Sequence, residues 1–389
     1  MRWASRPFSA VRRLPFGFGM TVTLTAVALF NLVLIARALP VGYGSSDYKF
    51  AAAAARAGFK FGWSRIYDLS LPRWSLTGES GPVPSFIIFV PNPPPFVWLA
   101  APFSQLPSQV GYVLWSLLML ASLVVATQLL SGPGWSSRIR AAAVMLALLP
   151  AVATVIFGQV TALLILALAL CWALAGRGRD TLAGVVLALA VIKPHLLLLV
   201  PFMFLAAGRW RVFVGWSAAA VALAVASVAS LGVEGTRQYI SFISTFDSGQ
   251  RDAYSLASVF GSGFALLGAR AAIVVLALAA AYLGRDRGVT PAIAAGVAAS
   301  LLVSGYLNAF DLALYAPVFL MLALDAAAWR LALVVSGVLW LALTVAISSG
   351  WLIILLETAF LLALLQPLLP VQIGSRRELV PTSGPSALR

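Results

Sequence analysis

Long apolar segments alternate with short polar segments along almost the whole chain. The pattern predicts about twelve helical spans, at residues 19–39, 109–130, 139–157, 159–175, 181–192, 196–207, 212–231, 264–283, 291–306, 312–324, 331–347 and 351–365. A helix rises 1.5 Å per residue, so the longer segments can cross a hydrocarbon core of about 30 Å. The pattern therefore predicts an all-α polytopic membrane protein.

Composition supports a membrane class. Of the 389 residues, 61% are hydrophobic and 10% are charged, whereas soluble domains have about 25% charged residues. The net charge of +14 comes from arginines grouped between the apolar segments and not from one basic face. That arrangement orients membrane helices with positive loops inside, so membrane lipids are expected partners and nucleic acid is not.

The charge pattern also predicts the domain organisation. Residues 1–18 form a cytoplasmic segment, residues 19–369 the transmembrane domain, and residues 370–389 a disordered cytoplasmic tail. The first extracytoplasmic loop spans residues 40–108. Segment 19–39 follows arginines as a signal peptide would, but Arg37 is unfavourable beside a cleavage point, so we expect an uncleaved span. Cys171 is the single cysteine, which excludes an intramolecular disulfide.

The long first loop is predicted to contain short amphipathic helices. A helix is expected over 47–57, because Ser45, Ser46 and Asp47 can cap it and Gly58 can end it. Residues 91–95 read as a polyproline segment, followed by an interfacial helix over 96–106. The basic residues of this loop outnumber its acidic ones, which indicates anionic headgroups or a phosphate-bearing substrate.

Several polar residues lie at the predicted outer ends of apolar segments. They are Gln159, Lys193, His195, Asn308 and Asp311. A charge within a membrane helix costs about 2.5 to 3.5 kcal/mol on insertion scales, so each needs a partner or a function. Because these residues come from separate spans, they can converge beside Asp47 in the first loop.

Each of these residues also has a structural interpretation. Asp47 could interact only with the dipole of its helix, Lys193 could extend to the membrane interface, and His195 could be a packing residue. Asp311 could cap the following helix. Glu357, alone and deep in the last span, is expected to be a structural partner of an arginine, with Arg37 and Arg270 as the candidates.

A set of short motifs resembles glycosyltransferase family 87, a branch of the GT-C superfamily. The motifs are Asp47 with Tyr48, Ile66-Tyr67-Asp68, Asn92-Pro93-Pro94-Pro95, Gly158-Gln159, Ala183-Gly184, Ile192-Lys193-Pro194-His195, Gly208-Arg209-Trp210-Arg211, Ser255-Leu256, and Asn308-Ala309-Phe310-Asp311-Leu312. The resemblance extends over residues 20–324. This family includes bacterial α-mannosyltransferases that use polyprenyl-phosphate mannose.

The resemblance implies a GT-C-type bundle whose active site faces the extracytoplasmic side of a bacterial plasma membrane. It implies that Asp47 is the general base of an inverting hexosyltransferase, and that Lys193 and His195 bind the donor phosphate. Tyr48, Tyr67, Asn92, Gln159, Asn308 and Asp311 are the remaining substrate-binding candidates. The expected partners are a polyprenyl-phosphate sugar donor, with mannose as the sugar, and a lipid or glycan acceptor.

No cofactor is expected, because the donor lipid already carries an activated sugar. No metal is expected either, since no second acidic residue adjoins Asp47. The alternative function is a transporter or flippase of a lipid-linked sugar, which could use the same polar residues as a pathway. Many transporters contain paired repeats, and this chain has none that we can detect, which favours the enzyme.

Overall fold

The structure is a computed structural model that describes residues 18–71, 76–77, 91–246, 254–324, 330–344 and 350–365. Within these ranges, α-helices and short 3₁₀ helices form the whole regular structure, which agrees with the predicted all-α class. The predicted N-terminal segment before residue 18 and the tail 370–389 lie outside the described residues.

The α-helices are numbered in chain order. They are α1 (Phe18–Ala38), α2 (Tyr48–Phe61), α3 (Pro94–Ser104), α4 (Ser108–Leu129), α5 (Trp135–Ala147), α6 (Leu149–Ile156), α7 (Thr161–Gly176), α8 (Asp180–Leu187), α9 (Val200–Ala206), α10 (Trp210–Phe246), α11 (Leu256–Phe260), α12 (Phe264–Leu283), α13 (Thr290–Val303), α14 (Tyr315–Leu324), α15 (Arg330–Thr344) and α16 (Gly350–Ala363).

Four of the described helices are long and apolar enough to cross a membrane: α1, α4, α10 and α12. The pair α5 and α6 would make a fifth if it acts as one span. The other apolar helices are shorter, at 10–17 residues. The structure is thus that of a helical membrane protein, but the expected number of twelve spans is not established.

The segment predicted as one straight span over 139–157 is bent. Helices α5 and α6 meet at Leu148 with an angle of 74° between them. Pro150 occupies the first turn of α6, where its missing N–H is tolerated, but it cannot continue the hydrogen bonds of α5. Asn31 of α1 donates to the freed carbonyls of Leu146 at 2.7 Å and Ala147 at 3.3 Å.

The spans predicted over 212–231 and 264–283 leave an outer loop over 232–262, and the first half of this predicted loop is helical. Helix α10 continues to Phe246 across a kink at Gly232, whose φ of +64° interrupts the helix locally. The Thr236 hydroxyl donates to the Gly232 carbonyl at 2.7 Å, which satisfies an acceptor at the kink. Residues 247–253 of this predicted loop lie outside the described residues.

The first loop contains the two predicted helices with different bounds. Gly58 does not end α2; it lies against Trp63, and a Cβ there would come within 2.9 Å of the indole ring. Gly62, with φ of +97°, follows the helix instead. The polyproline segment ends early, because Pro94 and Pro95 start α3. Helix α3 is largely buried against α2, and its place at the membrane interface stays a prediction.

Close helix packing positions the segment that carries Lys193. Helices α8 and α10 approach so closely that a Cβ on Gly184 would be 2.0 Å from the Val212 carbonyl oxygen. A Cβ on Gly215 would be 2.2 Å from the Thr181 carbonyl oxygen. After α8 the chain tightens into a 3₁₀ helix, Ala188–Ile192, and Lys193 follows it directly.

Candidate functional site

Asp47 lies between the 3₁₀ helix Gly42–Ser45 and α2. Its own backbone is helical, and its side chain makes no capping hydrogen bond to α2. The carboxylate oxygen Oδ2 instead accepts a hydrogen bond from Nε2 of Gln159, and the Asp47 N–H donates to the Phe157 carbonyl at 3.0 Å. The structure therefore does not support a capping role for this carboxylate.

The turn that holds Asp47 joins α6 to α7 and depends on Gly158. Its φ is +66°, and an added Cβ would lie 3.1 Å from both the Trp115 ring and Cβ of Tyr48. The Trp115 indole N–H donates to the Gly158 carbonyl at 2.7 Å. Tyr48 packs beside Trp115 with 5.4 Å between the ring centroids. The buried side chains of Trp115 and Tyr48 thus pack against the turn and hold it in place.

Lys193 and Asp311 form a buried ion pair close to Asp47. Nζ of Lys193 lies 2.6 Å from Oδ1 of Asp311, and their side chains are 5% and 0% exposed. The Thr161 hydroxyl donates to the same Oδ1 at 2.8 Å, and the Asn308 N–H donates to Oδ2 at 3.1 Å. Lys193 therefore has a charged partner, and Asp311 accepts hydrogen bonds from three donors.

Electrostatic influences link the ion pair to Asp47. Part of the Asp47 residue surface is accessible to solvent. The protein around the carboxylate nevertheless displaces much of its hydration shell, and this desolvation raises the pKa of Asp47. Lys193 lowers the same pKa, Asp311 raises it, and Lys49 lowers it. A raised pKa increases the basicity of a carboxylate, which suits a group that accepts a proton.

His195 lies at the edge of the same cluster. Burial and the neighbouring positive charge of Lys193 lower its pKa to about 4, so the imidazole is neutral at pH 7. Its Nε2 is buried without a hydrogen-bond partner among the described residues. Tyr306 packs edge-on against the ring at 6.0 Å between centroids. Nε2 of the neutral His195 ring can form one hydrogen bond with a ligand, but the ring does not supply a positive charge.

The other predicted substrate-binding residues are held by protein contacts. The Tyr67 hydroxyl donates to the Asn92 carbonyl at 2.6 Å, and Nδ2 of Asn92 donates to the Ile192 carbonyl at 2.9 Å. Nδ2 of Asn308 lies 2.6 Å from the Tyr306 hydroxyl. These bonds connect the proline-rich segment to the residue before Lys193. Their substrate contacts remain predictions.

Three residues of the cluster were not recognised in the sequence: Thr161, Trp115 and Tyr306. Thr161 begins α7 two residues after Gln159, inside an apolar segment, where a hydroxyl needs a partner. That position was the available indication. Nothing in the sequence separates Trp115 and Tyr306 from the other aromatic residues of the chain, and only the tertiary packing distinguishes them.

Glu357 does not contact the arginines that were expected to pair with it. It is completely buried in α16, and its carboxyl oxygens make no hydrogen bond or ion pair with Arg37 or Arg270 in the described structure. Its neighbour is Tyr315 at the start of α14. The expected ion pair was therefore wrong, because Arg37 lies exposed on α1.

Residues 89–305 match the model of glycosyltransferase family 87. This segment is more than half of the 389-residue chain and includes Gln159, Lys193 and His195. Asp47 precedes it and Asp311 follows it, so the match is shorter than the resemblance seen by eye. No curated protein and no solved structure matches the chain significantly.

In the described part of the chain, His, Cys, Asp and Glu do not gather in a group of three that could hold a metal ion.

Proposed function

The chain belongs to glycosyltransferase family 87, a membrane glycosyltransferase family, and from that premise we propose that Asp47 is the general base for sugar transfer. The donor in this proposal is a polyprenyl-phosphate sugar, with mannose as the sugar. The acceptor is a hydroxyl of a lipid or glycan. The reaction takes place on the extracytoplasmic side of a bacterial plasma membrane.

One observation carries the proposal: within the described structure, Asp47 is exposed and has one oxygen free of hydrogen bonds, whereas Asp311 is completely buried and hydrogen-bonded at both oxygens. Gln159 occupies Oδ2 of Asp47, and Oδ1 has no hydrogen-bond partner among the described residues. Both oxygens of Asp311 are bound by Lys193, Thr161 and Asn308. Of the two carboxylates in the cluster, Asp47 is therefore the one that an acceptor hydroxyl can reach.

The proposed reaction is a single displacement. Asp47 removes the proton from the acceptor hydroxyl, whose oxygen forms a bond to the anomeric carbon as the carbon–oxygen bond to the lipid phosphate breaks. The sugar is transferred with inversion of configuration, and polyprenyl phosphate leaves with the bonding electrons. Its phosphate is already a good leaving group, so no nucleotide is required.

Lys193 and His195 are the proposed contacts of the donor phosphate. Charge on the leaving phosphate grows during the reaction, and fixed donors in a site with little water stabilise such charge. The buried ammonium of Lys193 also holds Asp311, so it acts as a fixed charge near the phosphate. Neutral His195 can donate one hydrogen bond from its imidazole.

A transfer assay on the purified protein in lipid nanodiscs tests this function. Radiolabelled polyprenyl-phosphate mannose is offered with a glycolipid acceptor, and the Asp47→Asn variant is the matched control. We expect label to enter the acceptor with the wild type and not with the variant, and no label to enter from a nucleotide sugar. Movement of the donor between leaflets without any transfer would contradict the proposal and indicate a flippase.

A further inference from the structure

We infer that Gln159 is a positioning residue that holds Asp47 through Oδ2 and leaves Oδ1 as the oxygen that accepts the proton. This inference rests on the proposed role of Asp47 as the base. It assigns Gln159 to the enzyme's own carboxylate, in place of the substrate contact that the motif suggested.

The orientation of the Gln159 side chain follows from the turn that precedes α7. The backbone N–H of Gln159 donates to the Thr154 carbonyl at 2.8 Å, which anchors the residue to the last part of α6. Gly158 before it is anchored by the indole N–H of Trp115 at 2.7 Å. The Gln159 side chain is 8% exposed, so few alternative positions are open to its amide.

The turn contacts Asp47 at two points. Phe157 accepts the Asp47 backbone N–H at 3.0 Å, and Nε2 of Gln159 donates to Oδ2. The bond to Phe157 fixes the position of the Asp47 backbone, and the bond from Gln159 fixes the rotation of its carboxylate. A carboxylate held in this way presents its second oxygen in a constant direction, as a base needs when the acceptor hydroxyl binds.

The amide also affects how readily Asp47 holds a proton. Burial raises the pKa of Asp47. A hydrogen bond donated to a carboxylate favours its charged form, so the geometry of the Gln159 contact with Oδ2 predicts that loss of the amide makes Asp47 harder to ionise. The other charged groups that influence Asp47 are Lys193, Asp311 and Lys49. Replacement of Gln159 by a neutral side chain leaves these three groups in place, so it isolates the amide.

The test substitutes Gln159→Met, which keeps the unbranched shape and removes the donor, and Gln159→Glu, which replaces the donor with an acid. The Asp47 carboxyl is titrated by infrared difference spectroscopy, with the Asp47→Asn protein identifying its band. We expect the titration midpoint to rise by about one pH unit or more in Gln159→Met, and to rise also in Gln159→Glu through like charge.

Gln109→Met is the matched control. Gln109 is half-buried, and its amide donates to a backbone carbonyl, that of Leu39, and not to a carboxylate. Its loss should leave the Asp47 midpoint in place. In transfer assays the acid limb of the kcat profile should move with the midpoint in Gln159→Met, and the KM for the donor should stay within about twofold.

Two results would overturn the inference. One is an unchanged Asp47 midpoint in folded Gln159→Met and Gln159→Glu proteins. The other is a rate that falls by the same factor at every pH, since that is the result of structural damage alone. If the wild type transfers no sugar at all, the proposed function fails, and the infrared midpoint alone then decides whether Gln159 governs Asp47.

Discussion

The ammonium of Lys193 and the carboxylate of Asp311 lie 2.6 Å apart and are almost completely buried. Removal of one member of such a pair leaves an unpaired buried charge and costs about 3–5 kcal/mol of stability. We therefore expect Lys193→Met to lower the melting temperature as well as the activity, measured by thermal unfolding in detergent and by donor turnover.

A double variant separates the two effects of Lys193. In Lys193→Met combined with Asp311→Asn, no unpaired charge remains, and the amide can still accept from Thr161 or Asn308. Most of the thermal stability should return, because neutral replacements of buried ion pairs are often well tolerated. Transfer should remain impaired at least tenfold. Wild-type turnover in the stable double variant would limit Lys193 to a structural role.

The raised pKa of Asp47 predicts a pH-dependent effect on stability. A carboxyl whose pKa is above 3.8 in the folded state favours folding below pH 3.8, and this contribution is lost as the pH rises through the folded pKa. At pH 7, well above its ordinary pKa of 3.8, Asp47 thus disfavours folding relative to a neutral amide. Asp47→Asn should melt at the same or a higher temperature than wild type at pH 7, and this advantage should disappear near pH 4. A much lower melting temperature at pH 7 would indicate a structural role.

The hydrogen bond from Trp115 to the Gly158 carbonyl allows a test of how strongly the position of the turn affects sugar transfer. Trp115→Phe removes the indole N–H that binds the Gly158 carbonyl while keeping an aromatic ring. Loss of one buried hydrogen bond costs about 1 kcal/mol, and a displaced turn should lower transfer several-fold. Trp135→Phe is the control, because Trp135 is 74% exposed at the start of α5. Equal activity of both variants would show that the turn tolerates displacement.

The predicted sidedness can be tested by cysteine labelling in a Cys171→Ser background. Most of α2 between residues 51 and 58 is buried, so we choose Lys60, an exposed position near the end of this helix. Lys60→Cys should react with an impermeant maleimide added to intact cells. Arg177→Cys, exposed at the end of α7, should react only after the membrane is permeabilised. The reverse pattern would place the candidate site in the cytoplasm.

The sequence predicted the helices better than their interruptions. Apolar segments, arginine-rich turns and glycines locate most helix ends, because local chain properties determine them. The bend at Leu148 and the continuation through Gly232 depend on neighbours, namely Asn31 on α1 and the Thr236 hydroxyl. Gly58 shows the same limit: a glycine needed for packing on Trp63 looked like a helix terminator.

The candidate site was predictable in its residue types but not in their pairings. A single lysine, histidine and aspartate at the ends of apolar segments stand out on insertion energies alone. That Asp311 binds Lys193, and that Gln159 binds Asp47, depends on contacts between residues more than 100 positions apart. No local pattern distinguishes a glutamine that touches substrate from one that holds a carboxylate.

Single-turnover sugar transfer by Asp47→Asn under saturating donor is the most direct measurement of whether Asp47 is the base. The amide keeps the size of the side chain and can still accept from Gln159, but it cannot take the acceptor's proton. Loss of a general base lowers the rate by about a hundredfold to ten-thousandfold, and donor binding should be unchanged. Asp68→Asn is the control, because the Asp68 carboxylate is bound by Arg65 and Ser70. This variant should keep near-wild-type turnover. More than about a tenth of the wild-type rate in Asp47→Asn would contradict the role of Asp47 as the base.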